Sequence, residues 1–213
     1  KCMMTLGVTG NADQCKAAHR LMRKVIKPYK GIYTGNYLGK KWAEKRFMMP
    51  YLREALWEKG YVVDTLETAT DWDNVDNLLN LMEGSLRNAL SDENEKVHVF
   101  THLSHFYGQG SSIYTTYVYR AGSSCEQALA RWKKLKYPTS ELIVNNRGTI
   151  SHQHGVGKDH APYLPTEKGE LGMHLIRTLC QSMDEKGILN PGTLLVDDVV
   201  QGAEEMKTGT SND

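Results

Sequence analysis

No apolar run in these 213 residues approaches the ~18 that a membrane-spanning helix requires. A surplus of charge is missing too: 26 Lys plus Arg stand against 25 Asp plus Glu, a formal net charge of +1. That balance gives no bulk electrostatic pull toward nucleic acid or anionic lipid, so no nucleic-acid partner is expected and any partner is recognised locally. Cysteine is sparse. Cys2, Cys15, Cys125 and Cys180 form no Cys-x-x-Cys pair and follow no secretory signal, which argues against a disulfide framework. At least three of them sit among apolar neighbours at helical spacing and are expected to be small buried hydrophobes in a reducing compartment. A nucleotide-triphosphate loop is lacking: Gly155-Val156-Gly157-Lys158 is followed by Asp159, and the full Gly-x-x-x-x-Gly-Lys-Ser/Thr spacing is absent. There is no initiator Met, so the opening Lys1-Cys2-Met3-Met4-Thr5 reads as a piece cut from something larger. Gln201 to Asp213, poor in apolar anchors, reads as a frayed tail after a domain spanning 1–200.

What is present is ordinary globular material, 40% hydrophobic and 24% charged, long enough to bury a sizeable core. Met3 to Thr9 reads as a strand. Asn11 then caps a helix whose apolar positions Cys15, Ala18, Met22, Val25 and Ile26 recur at helical spacing. A turn-rich connector, Gly31 to Gly39, leads to a helical segment from about Lys41 to Glu58, in which Pro50 starts a new turn or a kink. Tyr61 to Thr68 is β-rich, and Asp73 is expected to cap an amphipathic helix through Val75, Leu78, Leu79, Met82 and Leu86. Two strands, about Val97 to Phe106 and Ser112 to Arg120, join across Gly108-Gln109-Gly110. A helix through Cys125, Ala128, Leu129, Trp132 and Leu135 follows. A last helix, Glu167 to Met183, should bury Leu171, Leu175, Ile176 and Leu179 and stop at Lys186-Gly187. The order fits an α+β fold, an antiparallel sheet with helices on one face, and its two βα units suggest a ferredoxin-like pattern.

Chemistry concentrates in histidine. Of eight, six crowd into the strand pair (His98, His102, His105) and a glycine-rich stretch (His152, His154, His160). Residues two apart in a strand share a side, so His152 and His154 face one cavity if Ser151 to Gly155 is extended, and His98 and His102 match if no bulge intervenes. Such groups ligate metals, exchange protons near neutral pH, or sit solvated. Backbone amides beside Lys158 can hold a single anion. Tyr114 faces one way with Thr116 and Val118, while Ile113, Thr115, Tyr117 and Tyr119 face the other. A strand tyrosine usually packs, but beside an imidazole pair a phenol relays protons. Arg53 is either a surface arginine or a carboxylate or phosphate clamp.

Three stretches carry a likeness: Thr101-His102-Leu103-Ser104-His105-Phe106-Tyr107 through Ser112-Ile113-Tyr114, then Gly148-Thr149-Ile150-Ser151-His152-Gln153-His154-Gly155-Val156-Gly157-Lys158, then Gly187-Ile188-Leu189-Asn190-Pro191-Gly192. In this order they resemble the C-terminal, substrate or cap domain of FAD-linked oxidases of the vanillyl-alcohol oxidase type, and most of all the alkyldihydroxyacetonephosphate synthase (alkylglycerone-phosphate synthase) family. The resemblance places the proton-transfer tyrosine on Tyr114, the essential histidine run on His152, Gln153 and His154, and the phosphate-binding arginine on Arg53. It also sets Lys158 on the substrate side and Gln153 and Asn190 beside the cofactor. One departure matters: Gln153 replaces the middle of three consecutive histidines, and Gln cannot titrate. In the related D-2-hydroxy-acid dehydrogenase branch two histidines and a glutamate hold a metal. Here His105 matches one ligand while Ser112 and Gln153 take the other two places; one ligand of three does not hold a catalytic divalent ion, so no metal is expected in this chain.

The resemblance implies an FAD enzyme of ether lipid synthesis, which exchanges the acyl group of acyl-dihydroxyacetone phosphate for a fatty alcohol without net redox change. Its FAD is held mainly by an N-terminal domain absent from this chain, so the fragment alone is expected to be inactive. Expected partners are a small-molecule or lipid-phosphate substrate and that N-terminal domain, with a homodimer admitted. The compartment stays open between cytoplasm and membrane periphery. Two rivals stand beside it: an FAD-linked oxidase or dehydrogenase of a small hydroxy acid or alcohol, and a non-catalytic binding module.

Overall fold

The computed structural model describes residues 4–196, with the backbone alone for Met49 and Pro50. Cys2, Met3 and the tail expected at 201–213 lie outside the described residues. The chain divides into two compact units, Lys1–Ala55 and Leu56–Asp213.

In the N-terminal unit, α1 (Ala12–Ile26) begins with a complete capping box: Asn11 accepts from the Gln14 backbone N–H at 2.9 Å, and the Gln14 side chain accepts from the Asn11 N–H. The stripe Cys15, Ala18, Met22 and Ile26 is half-buried, whereas Val25 is exposed. The expected strand at 3–9 is not found among the described residues. Residues 4–9 form no regular element, because backbone in that conformation needs a neighbouring ladder and none pairs with them. The next helical segment is split as Pro50 requires: α2 (Tyr37–Lys45), a 3₁₀ turn (Arg46–Met48), then α3 (Met49–Trp57) with the proline in its first turn.

The C-terminal unit is built on three antiparallel strands, β1 (Tyr61–Asp71), β2 (His98–His102) and β3 (Gly110–Arg120), in the order β1-β3-β2. Helices α4 (Val75–Asn88) and α5 (Cys125–Asn145) pack on one face. Strand parity decides what they cover. Ile113, Tyr117 and Tyr119 of β3 join Leu66, Val99, Leu78, Met82, Leu86, Leu135 and Ile143 in one buried cluster, while Tyr114, Thr116 and Val118 point to the other, more open face. The α4 stripe expected from sequence is therefore the core, with Leu79 at its edge. The cap differs: Asn74, not Asp73, precedes α4, and its side-chain amide donates to Thr70 Oγ1 and to the Asn146 carbonyl. Asp73 instead pairs with Arg147 at 3.2 Å.

A polar bond set ties α5 to the sheet. Asp64 Oδ2 accepts from Tyr117 Oη and Trp132 Nε1, both at 2.8 Å, and lies 3.4 Å from the buried Lys136 ammonium, which also donates to the Thr65 carbonyl. Burial, then the Asp64 charge, drives the Tyr117 phenol far above its ordinary pKa, so it stays a donor. Helix α5 runs through Pro138 without ending.

The final helix, α7 (Leu164–Met183), departs from expectation. Gly169 breaks its helical course at φ 67° and ψ 175°, and the side chains turned inward are Leu164 and Met173, with Ile176 half-buried. Leu171, Leu175 and Leu179, one stripe at i, i+4, i+8, are exposed. The helix ends at Met183, and Gly187 closes a turn onto Asp184. The cysteines are also corrected: Cys125 and Cys180 are exposed and Cys15 half-buried, because each lies off the inward face of its helix or on a helix with no buried face.

Candidate functional site

The open face of the sheet carries one cross-strand row, Glu67 of β1, Tyr114 of β3 and His102 of β2, since Glu67 pairs with Tyr114 and Tyr114 with His102. His102 stacks on the Tyr114 ring at 5.0 Å between centroids. Beyond His102 the strand pair is bulged. His102 faces Tyr114 and Phe106 faces Ser111, four steps on one side against three on the other. A bulge re-aims side chains, and this one turns His105 toward the face that His102 occupies. Strand β2 is shorter than expected for the same reason. Its continuation is held by the His105 carbonyl, which accepts from the Ser112 N–H at 3.0 Å, and by Trp72 Nε1 donating to the Tyr107 carbonyl.

The glycine-rich segment arrives along the outer edge of β1. Gly148 is buried where a methyl group would meet Ile143, Leu78 and Thr68, each at 2.8 Å, so the chain passes only because no side chain is there. Thr149 then donates its N–H to the Ala69 carbonyl and His152 to that of Glu67. Glu167 of α7 accepts from the Ile150 N–H at 2.7 Å and from Thr149 Oγ1 at 3.0 Å, fixing the segment from its other side. Burial alone would raise the Glu167 pKa, but these bonds and Lys168 outweigh it and hold the carboxyl below its ordinary value.

Ser151 to Gly155 is not extended. Gln153 sits at φ 63° and Gly155 at φ 73°, so the segment turns, and the turn brings His152 and His154 onto one carboxylate. Glu67, its side chain 3% exposed, receives His152 Nδ1 at 3.1 Å on Oε1 and His154 Nε2 at 3.0 Å on Oε2, with His105 Nδ1 3.8 Å from Oε1. Ser104 Oγ donates to Oε1 at 3.0 Å. The other nitrogen of His152 meets Tyr107 Oη at 2.9 Å, and His154 approaches the Tyr114 ring edge-on at 5.8 Å. The result is one buried carboxylate gathering three imidazoles, with two phenols at the rim.

Of the residues singled out from sequence, Tyr114, His152 and His154 meet here, and Gln153 lies beside them with its amide 3.4 Å from His105 Nε2. Ser112 also lies here, its hydroxyl bonded to Ser104 at 2.6 Å. Lys158 is exposed on the single turn α6 (Gly157–His160), and Asn190 is exposed in the turn that follows α7. Next to Lys158, burial pushes the His160 imidazole below its usual pKa, so it tends to neutrality. Arg53 is an exposed residue of α3 in the N-terminal unit. Sequence reasoning missed Glu67 and Tyr107. The available signal was an acid inside Thr65-Leu66-Glu67-Thr68-Ala69, where strands disfavour it and where parity sets it opposite Leu66. A polar cleft of about 370 Å³ lies elsewhere, lined by Glu93, Glu95, Arg120 and Arg131, and holds none of these imidazoles.

The chain is similar to alkyldihydroxyacetonephosphate synthase of Trypanosoma brucei brucei, 25% identical over 91% of this chain and 31% of that protein. It is similar also to the synthase of Dictyostelium discoideum, 28% identical over the same shares. It thus spans about a third of the length of the curated relatives it matches. Solved structures of alkyldihydroxyacetonephosphate synthase share the fold, with TM-scores of 0.53 and 0.55, at 21% and 19% identity over 84% and 85% of this chain and 29% of theirs. The motif order seen in the sequence, the α+β fold and a match across residues 1–194 agree: the chain belongs to the family of FAD linked oxidases, C-terminal domain.

Proposed function

We propose that this chain is the substrate-side domain of an FAD enzyme that makes alkyl-dihydroxyacetone phosphate from acyl-dihydroxyacetone phosphate and a fatty alcohol. The observation that carries the reading is Tyr114, set on an open sheet face between His102 and His154, with His154 held by the buried Glu67. A phenol between two imidazoles is placed to pass protons, and a carboxylate behind an imidazole fixes its orientation and tautomer. The donor set of phenols, imidazoles and the exposed Gln153 amide fits one side of a flavin ring. FAD, when bound, supplies the isoalloxazine ring against which the substrate carbon reacts.

This chain's residues do the rest. Tyr114 moves the proton at the substrate carbon, and His154 exchanges it with Tyr114. His152, held between Glu67 and Tyr107, orients oxygen leaving groups. In this reading Arg53 is the phosphate-binding arginine, Lys158 is a substrate-binding residue, and Gln153 and Asn190 border the cofactor. An N-terminal FAD domain of the same protein is its implied partner.

The natural protein, given FAD, acyl-dihydroxyacetone phosphate and a fatty alcohol, is expected to release fatty acid and form the alkyl product. Tyr114→Phe should lose at least about a hundredfold of that rate with FAD still bound. Full activity in the variant would remove Tyr114 from the chemistry. A second reading, oxidation of a small hydroxy acid, is favoured by similarity to glycolate oxidase subunit GlcD of Bacillus subtilis (strain 168), 39% identical over 58 residues, 27% of this chain and 12% of that one. Anaerobic bleaching of the flavin by hydroxy acids, without alkyl transfer, would replace the first reading with the second.

A further inference from the structure

The oxygen and nitrogen donors of Glu67, His105 and His152 all lie within 4.8 Å of one another. The geometry points to a divalent transition-metal site of the zinc class on this trio, made by Glu67 Oε1, His105 Nδ1 and His152 Nδ1.

The spacing agrees with such an ion. Bonds of about 2.0–2.1 Å in a tetrahedral arrangement put neighbouring donors roughly 3.3–3.4 Å apart. Glu67 Oε1 stands 3.1 Å from His152 Nδ1 and 3.8 Å from His105 Nδ1, on either side of that value. His105 Nδ1 is a buried polar atom without a hydrogen-bond partner, 3.8 Å from the same carboxylate oxygen. A buried nitrogen left without a partner there is open to an ion.

The outer contacts agree as well. A ligating imidazole commonly donates its second N–H to a fixed acceptor, which sets tautomer and direction. With Nδ1 on the ion, His152 Nε2 carries its proton to Tyr107 Oη at 2.9 Å. His105 Nε2 faces the Gln153 amide at 3.4 Å, whose oxygen accepts when the amide is turned. Ser104 Oγ steadies the carboxylate. Two nitrogens and one carboxylate suit zinc, cobalt or iron rather than magnesium or calcium, which prefer oxygen alone. Three protein ligands leave a fourth position for water or a substrate oxygen.

The positions matter. Of the places weighed from sequence, His105, Ser112 and Gln153, only His105 is a ligand here. Glu67, from a different strand, and His152, one residue before Gln153, complete the set. In the loaded form His152 is a ligand, and proton exchange stays with Tyr114 and His154.

Cobalt(II) alone, titrated into metal-stripped 213-residue chain, tests this. One-to-one saturable binding with the intense visible bands of tetrahedral cobalt is expected, displaced by zinc. His105→Asn, at a partly exposed position that keeps the fold, and Glu67→Gln should each weaken binding more than about tenfold, and Tyr107→Phe should weaken it less. Circular dichroism checks that each variant folds, and if Glu67→Gln does not, His105→Asn decides. No saturable binding, the weak bands of octahedral cobalt, or affinity unchanged in His105→Asn would each overturn the site. None of these readouts depends on alkyl transfer or on flavin, so the failure of the proposed reaction leaves the metal question separately answered.

Discussion

Helices α1 of the N-terminal unit and α4 of the C-terminal unit carry apolar stripes of the same spacing, yet the two regions use them differently. Every inward position of α4 except Leu79 is fully covered by the sheet and α5, whereas α1 and α2 bury none of their side chains. The difference lies in what each stripe has to lie against. A three-stranded sheet offers a flat apolar face that α4 and α5 complete together, and a cluster from Leu66 to Ile143 results. A helix pair with no sheet of its own has half-covered residues such as Met22 and exposed ones such as Leu21, Tyr37 and Trp42. Amphipathic spacing shows that a face wants cover and says nothing of whether the covering element belongs to the same unit.

Substitutions can break or sharpen that contrast. Leu86→Ala, at a fully buried core position, is expected to cost about 2–5 kcal/mol in urea unfolding. A loss under ~1 kcal/mol would mean the C-terminal core is as loosely held as the N-terminal helices. Asp64→Ala strands Tyr117 Oη, Trp132 Nε1 and Lys136, and should cost about 2–3 kcal/mol, read as a drop in denaturant midpoint. Glu167→Gln removes a charged acceptor of the Ile150 N–H and should cost about 1 kcal/mol near neutral pH. Its sign with pH follows from a folded pKa below the ordinary 4.5: the carboxylate contributes fully above that value and its contribution fades as pH falls through the lower, folded one. Wild-type protein should therefore lose stability on acidification more steeply than Glu167→Gln below about pH 4.5, and parallel profiles would refute this. Leu21→Ala, on exposed α1, should change stability by less than ~0.5 kcal/mol. A cost as large as that of Leu86→Ala would erase the contrast between the units.

The C-terminal core was legible in the sequence because α4 and β3 declare it twice, by helical spacing through Leu78, Met82 and Leu86 and by alternation through Ile113, Thr115 and Tyr117. The strand expected at 3–9 is not found among the described residues, since a few β-prone residues fix no partner. The last helix misled because its most regular repeat, Leu171, Leu175 and Leu179, lies on the exposed side, while Met173 and Leu164 face in. In the site, Tyr114, His152 and His154 could be read from their motif. Their meeting place could not, because it depends on a bulge after His102, a left-handed Gln153 and a glutamate 85 residues before His152. Tyr107 was invisible for the same reason: its hydroxyl matters only once His152 is beside it.

The missing side chain at Gly148 acts as a gauge stop. Ile143, Leu78 and Thr68, from α5, α4 and β1, converge on one missing methyl group, and the histidine-bearing segment starts from that point. The distance between a helix-packed interior and the imidazoles is thereby set at a single residue. Enlarging that residue would leave the imidazoles themselves intact; it would shift His152, Gln153 and His154 together, as a sight is thrown off when its mount moves.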